Sequence, residues 1–313
     1  MRNIKNRTFR TPPFALKKSR VQLEKLEERL LLSAEPLLQI SKPAQGTSLA
    51  VDNVLLTTRV GDAVNNQQDP MFEVNLQNAQ VIDLSKGVDQ NSSLLSWEVQ
   101  GDLMKLNQDL GSLVLDLGAN DDTVTISQDQ QGRIKVSGDG LYDLVFAKPL
   151  NLLAIRGGAG VDKVLLDSFS MSGGLRVESE FIELTKDKTV TLGGDVLLDA
   201  VSRITGNPDT GDAQGTASTL VDVQGTLVTK GLVTLSARSY VDYQTVRNGT
   251  SADLNFTAQT EARARLGESA SVTAAGLAVV AFSDIRLVAE LSGVTAGTLV
   301  LDAKQTSEAA LLG

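Results

Sequence analysis

The fold class predicted from this sequence is all-β: a right-handed parallel β-helix or related β-solenoid, preceded by a short N-terminal amphipathic helix. Three observations predict it. The core material is aliphatic and small, since 42% of the 313 residues are hydrophobic, only 4% are aromatic, and 27 are glycine. Such a composition suits short stacked strands better than a helix bundle. Beyond residue 48, short apolar runs are punctuated by Gly, Asn and Asp. Finally, strand–turn units recur at spacings that suit the coils of a solenoid.

Residues 1–36 form a basic N-terminal segment. Over residues 1–35, nine Lys/Arg stand against four Glu, a balance of +5. Residues 1–20, with Pro12-Pro13 and few apolar positions, carry no pattern of regular structure. A helix is predicted from Ser19 or Val21 to about Ala34. Ser19 can cap it, Leu23, Leu26 and Leu30 share one face, and Pro36 stops it. Residues 37–50 read as a linker because Ser41, Pro43, Gly46 and Ser48 break any period.

Residues 51–170 read as a β-rich region. Strands are expected near 49–56, 72–76, 81–84, 94–99, 113–117 and 124–126. Two blocks, 111–126 and 151–166, match at an offset of 40, with Leu113/Leu153, Gly118/Gly158, Ala119/Ala159, Asp122/Asp162 and Val124/Val164 identical. Each reads as strand, Gly/Asp turn, strand. Between them, residues 134–146 read as a strand pair around a turn at 137–140.

Residues 171–313 read as solenoid coils continuing the same stack. Gly174, Gly194, Gly231, Gly276 and Gly297 each lead into a short apolar strand, at spacings of 20, 37, 45 and 21 residues. These fit one or two units of about 18–22 residues. One coil cannot bury its own apolar face, so stacking is obligatory. Residues 206–218 are expected to be a protruding loop. No capping segment follows Ala309-Ala310-Leu311-Leu312-Gly313, which leaves an open strand edge and suggests a piece of a longer chain.

Composition narrows the chemistry. With no Cys and no His, disulfides, thiolate nucleophiles, His-based triads and the common zinc ligand sets are excluded. Outside residues 1–35, 20 basic and 34 acidic residues give −14. An acidic body argues against nucleic acid as a partner, since phosphate binding needs a basic face. No apolar run reaches the ~18 residues of a transmembrane segment, and no conventional signal peptide is present. Glycoside cleavage would need paired carboxylates about 5–10 Å apart. Asp121, Asp122, Asp162, Asp209 and Asp212 are the available acids, each in a turn or loop where Asp serves the backbone. Of the scattered aromatics Trp97, Tyr142, Tyr240 and Tyr243, the last two differ in parity and are expected on opposite faces of a strand. No catalytic residue is therefore assigned.

Two stretches carry family resemblances. Leu26-Glu27-Glu28-Arg29-Leu30-Leu31-Leu32-Ser33-Ala34 resembles the N-terminal LEPR-XLL element of very large, repetitive bacterial surface or secreted proteins. Leu26, Glu27, Arg29, Leu31 and Leu32 match it, and Glu28 replaces its proline. The resemblance implies an envelope or export role, with these five residues as a sorting motif read by export machinery. Gly157-Gly158-Ala159-Gly160-Val161-Asp162-Lys163-Val164-Leu165 fits Gly-Gly-x-Gly-x-Asp-x-U-x and resembles the nonapeptide of RTX calcium-binding β-rolls. That resemblance implies calcium as a ligand of Gly157, Gly158, Gly160 and Asp162, with Asp122 in the partly matching earlier block as a further ligand. In that family the nonapeptides run in tandem, whereas here the two copies lie 40 residues apart. A tight glycine turn whose Asp accepts from backbone N–H groups is the alternative.

The expected function is a non-enzymatic, exported or cell-surface scaffold of bacterial type, adhesin-like or matrix-forming, with cell-surface or extracellular-matrix ligands. A calcium-stabilised secreted β-roll and a polysaccharide-acting β-helix enzyme are the alternatives.

Overall fold

The structure, a computed structural model, describes residues 37–41, 48–51, 54–60, 80–84, 97–100, 103–106, 111–138, 143–206, 212–248, 254–292 and 299–312. All of them belong to one compact unit, Ser33–Gly313. The expected helix and its residues Leu26, Glu27, Arg29, Leu31 and Leu32 lie outside the described residues, as does the strand expected at 72–76.

Every described element is a strand. The chain begins with β1 (Leu37–Ser41), β2 (Ser48–Val51), β3 (Val54–Val60), β4 (Gln80–Asp83), β5 (Trp97–Gln100) and β6 (Leu103–Leu106). It continues with β7 (Ser112–Asp116), β8 (Thr123–Gln128), β9 (Ile134–Gly138), β10 (Asp143–Phe146), β11 (Leu152–Arg156) and β12 (Lys163–Leu166). Next come β13 (Phe169–Met171), β14 (Gly174–Ser179), β15 (Phe181–Leu184), β16 (Thr189–Leu192), β17 (Val196–Gly206) and β18 (Asp212–Val223). The last six are β19 (Thr226–Thr229), β20 (Leu232–Asn248), β21 (Leu254–Leu266), β22 (Ser271–Ala274), β23 (Gly276–Ser292) and β24 (Leu299–Leu311).

Among the described residues these strands form three sheets. Sheet A has eleven strands in the order β1-β24-β21-β18-β15-β12-β8-β9-β10-β6-β5, sheet B has five in the order β13-β16-β19-β22-β2, and sheet C has eight in the order β3-β23-β20-β17-β14-β11-β7-β4. All ladders of sheets B and C are parallel. In sheet A the β5–β6, β8–β9 and β9–β10 ladders are antiparallel and the others are parallel. From β11 to β24 the chain visits C, A and B in that order at every circuit.

Parallel registration stacks like on like. In sheet C, Leu113, Leu153, Leu175, Val196, Val233 and Leu277 follow one another across the ladder. In sheet A the matching column is Val124, Val164, Ile182, Val221, Ala264 and Ala309. In sheet B it is Phe169, Val190, Leu227 and Val272. All of these side chains belong to one buried cluster. The strands alternate as a half-buried surface requires: in β16, Val190 and Leu192 are buried and Thr189 and Thr191 exposed.

The circuits are not uniform. Leu153 to Leu175 and Leu175 to Val196 are steps of 22 and 21 residues, but Val196 to Val233 and Val233 to Leu277 are 37 and 44. The wide spacings are therefore single circuits with elongated strands, not double units. β20 and β23 each run 17 residues in sheet C, and β21 and β24 each run 13 in sheet A. Their extensions pack into a second core of Ala213, Ala217, Val241, Tyr243, Phe256 and Ala258. Where sheets C and A meet between the two cores, buried hydroxyls replace aliphatic groups. Ser239 Oγ donates to Ala217 O at 2.8 Å, and Ser283 Oγ lies 2.9 Å from Ser307 Oγ.

Four expectations are corrected. The linker at 37–50 contains β1 and β2; Pro43 and Gly46 lie between two strands, and the apolar Leu37, Leu38 and Ile40 build the first. Most of the loop expected at 206–218 is strand β18, whose inward Ala213, Gly215 and Ala217 are too small to register as an apolar alternation. The strand after Gly297 belongs to sheet A, whereas those after Gly174, Gly194, Gly231 and Gly276 belong to sheet C. The edge left by the last circuit is not bare: β1, β2 and β3 pair with β24, β22 and β23.

The second core gives a direct test. Phe256 is 1% exposed and stacks on Tyr243, with ring centroids 6.4 Å apart. Phe256→Ala is expected to lower unfolding stability by about 3 kcal/mol in urea titration.

Candidate functional site

The two Gly/Asp turns predicted as a unit are stacked on one another, between sheets C and A. Residues 117–122 join β7 to β8, and residues 157–162 join β11 to β12. Gly118 and Gly158 both hold φ of 100°, and Gly160 holds 115°. A side chain at Gly158 would collide with the Gly118 carbonyl oxygen, which already accepts from Ala159 N at 2.9 Å. A Cβ at Gly157 would fall 2.5 Å from Asp162 Oδ2. The glycines are thus required by the closeness of one turn to the next, as well as by backbone conformation.

The acids of these turns bind the backbone of neighbouring layers. Asp162 is fully buried, and its Oδ1 accepts from Asp122 N at 3.0 Å. Asp121 Oδ1 accepts from Val161 N at 2.8 Å. One layer further, Glu180 Oε2 accepts from Asp162 N at 2.9 Å, and Ser179 Oγ donates to Asp162 O at 2.9 Å. Asp122, Asp162 and Glu180 therefore form an acidic stack running from one layer to the next. Gly157, Gly158, Gly160, Asp162 and Asp122 are brought together, but in stacked turns where the Asp162 carboxylate serves the amide of Asp122.

Two oxygens of this stack have no hydrogen-bond partner. Asp122 Oδ2 and Asp162 Oδ2 are both buried and unpaired. Among the described residues no group of three or more acidic side chains converges as metal ligands do. Burial pushes the Asp162 carboxyl up to about 6; the amide of Asp122 works against that shift and the charges of Asp122 and Asp121 add to it. Burial also raises Glu180, as it raises Asp122, where the Asp121 charge contributes.

Two further acids were weighed for sugar chemistry. Asp209 lies outside the described residues, and Asp212 opens β18. Tyr142 is also outside them. Tyr243 points inward, where its hydroxyl donates to Gln214 O at 2.8 Å, while Tyr240 stands on the opposite face, as their parity requires. There the Arg203 guanidinium lies 4.9 Å from the Tyr240 ring centroid, and Phe282 lies 5.4 Å from it between centroids.

Beside this aromatic pair, Arg238 forms an ion pair with Asp199, whose side chain is buried. The sequence reading missed that pair. Asp199 and Arg238 are 39 residues apart, and nothing in either local sequence marks the other. The signal available in retrospect is their parity: both are charged residues on the outward-facing positions of strands one circuit apart.

No family model, curated protein or solved structure matches the chain. Among the described residues no helix is long and apolar enough to cross a membrane.

The acidic stack sets a pH dependence with a definite sign. The folded Asp162 carboxyl, at about 6, holds its proton more tightly than an unfolded one at about 3.9. Its contribution to stability is therefore greatest at low pH and is lost as pH rises from about 4 to about 6. Asp162→Asn keeps the acceptor for Asp122 N and removes the titration. Measured by urea titration, the wild type should lose ground to Asp162→Asn across that window, by up to about 3 kcal/mol, and the gap should stay constant above it.

Proposed function

We propose that the three sheets form a parallel β-helix, a β-solenoid, preceded by the amphipathic N-terminal helix, and that the protein is an exported or cell-surface scaffold without catalytic chemistry. The observation that carries this reading is the invariant order in which β11 to β24 visit sheets C, A and B. A stack built in that way offers long lateral faces for adhesion or matrix assembly, while its interior is filled with Leu, Val, Ile and Ala. The state of the acids supports the non-enzymatic reading. Asp162 has no exposed surface and Asp122 very little, and each uses its backbone or carboxylate within the stack. Neither presents a carboxylate to a bulky substrate.

In this reading Leu26, Glu27, Arg29, Leu31 and Leu32 are read by export or sorting machinery. The acidic body, −14 outside residues 1–35, keeps the exposed protein soluble and repels nucleic acid. Protease accessibility on intact bacterial cells tests both halves of the proposal. Cleavage of the whole chain, lost when residues 1–35 are deleted, is the expected result. Cleavage that persists after the deletion removes the role given to the helix. A chain protected inside the cell in both forms overturns the surface reading.

One observation favours a second reading, the calcium-stabilised secreted β-roll. Asp122 Oδ2 and Asp162 Oδ2 are buried oxygens without partners, and a hard cation is the kind of ligand that such oxygens accept. Under this reading, millimolar calcium near neutral pH raises the Tm of the wild type, and the increase disappears in Asp122→Asn/Asp162→Asn. An equal Tm with calcium and with chelator would exclude it.

A further inference from the structure

The strands that cover the last circuit come from the other end of the chain. β1 pairs with β24 over five residues, from Leu37↔Thr306 to Ser41↔Ala310. β2 pairs with β22 over four, from Ser48↔Ser271 to Val51↔Ala274. β3 pairs with β23 over seven, from Val54↔Leu277 to Val60↔Ser283. All three ladders are parallel, like those that join successive circuits. β1, β2 and β3 thus add to the three sheets as a further layer, and the hydrogen-bonding edge they meet belongs to residues more than two hundred positions away.

The connection that lets them do so is long. β3 and β4 stand at opposite ends of sheet C, seven strand spacings apart. Gln80 shares its register row with Val54, through Leu113, Leu153, Leu175, Val196, Val233 and Leu277, and Val60 lies six residues further along. The path from Val60 to Gln80 must therefore cover about 34 Å across the ladder and about 20 Å along the strand, roughly 39 Å directly. The 19 residues of 61–79 reach up to about 66 Å when extended. The segment is held in place by strand pairing, and the connection is longer than the distance it must span.

We propose that residues 37–60 are an exchangeable edge segment, and that two copies of this chain associate by placing these residues on each other's β22–β24 edge. The partner is a second copy because it carries the same segment and the same edge, so every backbone pairing within one chain can be formed between two. Exchange changes no contact and requires only that the connection lead to a different stack. What decides between the two arrangements is effective concentration. A connection of this length sets an effective concentration of about millimolar for the segment at its own edge, so the full chain closes on itself at micromolar concentration and exchanges when crowded. Shortening the connection below the distance it must span removes the closed arrangement and leaves only the exchanged one.

Deleting residues 65–76 leaves seven residues between β3 and β4, a reach of about 27 Å, short of the roughly 39 Å needed. A reporter can be placed at Ala50↔Thr273, a register pair whose Thr273 is exposed, since the chain holds no cysteine of its own. In Ala50→Cys/Thr273→Cys the full chain should form an intrachain disulfide and run as a monomer at micromolar concentration. The shortened chain should run as a dimer or larger, with the disulfide between chains. A shortened chain that stays monomeric, with an intrachain disulfide or none, overturns the proposal. Should the shortened chain not fold, the full-length single variants Ala50→Cys and Thr273→Cys decide it when refolded together at high concentration. A mixed disulfide adduct supports exchange, and its absence overturns it.

Discussion

The constraint on which the rest of this structure depends is the parallel register between successive circuits. A parallel ladder places each residue beside its counterpart one strand spacing away, about 4.8 Å. A slip of one position would turn every inward side chain outward. The inward columns of sheets A, B and C are therefore apolar from layer to layer. The turn at 157–162 must also repeat the path of the turn at 117–122. Once the strands on either side are locked in register, the second turn lies directly against the first, which leaves no room for a side chain at Gly158 and directs the amide of Asp122 at the Asp162 carboxylate.

The same register explains how the stack changes width without losing its order. Strands of sheets C and A lengthen together, β17 with β18, β20 with β21 and β23 with β24, so each extension finds both a ladder neighbour and a facing sheet. Where the sheets close on one another, large aliphatic groups do not fit. Ala200, Ala237 and Ala281 face this region from sheet C, and Ala217 and Ala262 from sheet A. Ser239 and Ser283 span the gap by hydrogen bonds. The hydroxyls of Ser239 and Ser283 keep partners on burial, which offsets the hydration they lose, whereas Thr260 Oγ1, in register with Ala217, is buried without one. On the outward positions the register also aligns charges: Asp222 meets its register partner Arg265 at 3.0 Å, and Glu183 meets Lys163 diagonally at 2.9 Å.

Much of this was legible in the sequence. The offset of 40 between the blocks at 111 and 151 is a true layer step, with Leu113 on Leu153 and Val124 on Val164. The glycines at 174, 194, 231 and 276 do precede strands of a single sheet. Strand length was harder to see. In β18 the inward positions are Ala213, Gly215 and Ala217, residues that carry no apolar signal, and the Asn207-Pro208 and Gly211 breakers beside them suggest a loop. β1, and the break between β2 and β3 inside the strand expected at 49–56, were hidden for a different reason. The partners of these strands lie at the far end of the chain, and no local pattern records a contact of such sequence separation. The Asp199–Arg238 pair was hidden likewise.

The acidic stack follows from the same requirement. At the corner between sheets C and A, the amides of Asp122, Val161 and Asp162 point along the stack and need acceptors that the adjoining turn's carbonyls do not supply. Asp162, Asp121 and Glu180 supply them. A carboxylate is a strong acceptor for a backbone amide, and an Asp or Glu at the same corner of each layer satisfies one amide per layer. Repetition then brings the carboxylates close together in a buried place, which holds Asp162, Glu180 and Asp122 above their ordinary values. Each hydrogen bond satisfies one corner, and the like charges are the consequence of placing those corners one above another. A stack with fewer acidic corners would carry less repulsion and leave more amides unpaired. The arrangement here, with one oxygen of Asp162 engaged and the other buried without a partner, lies between those limits.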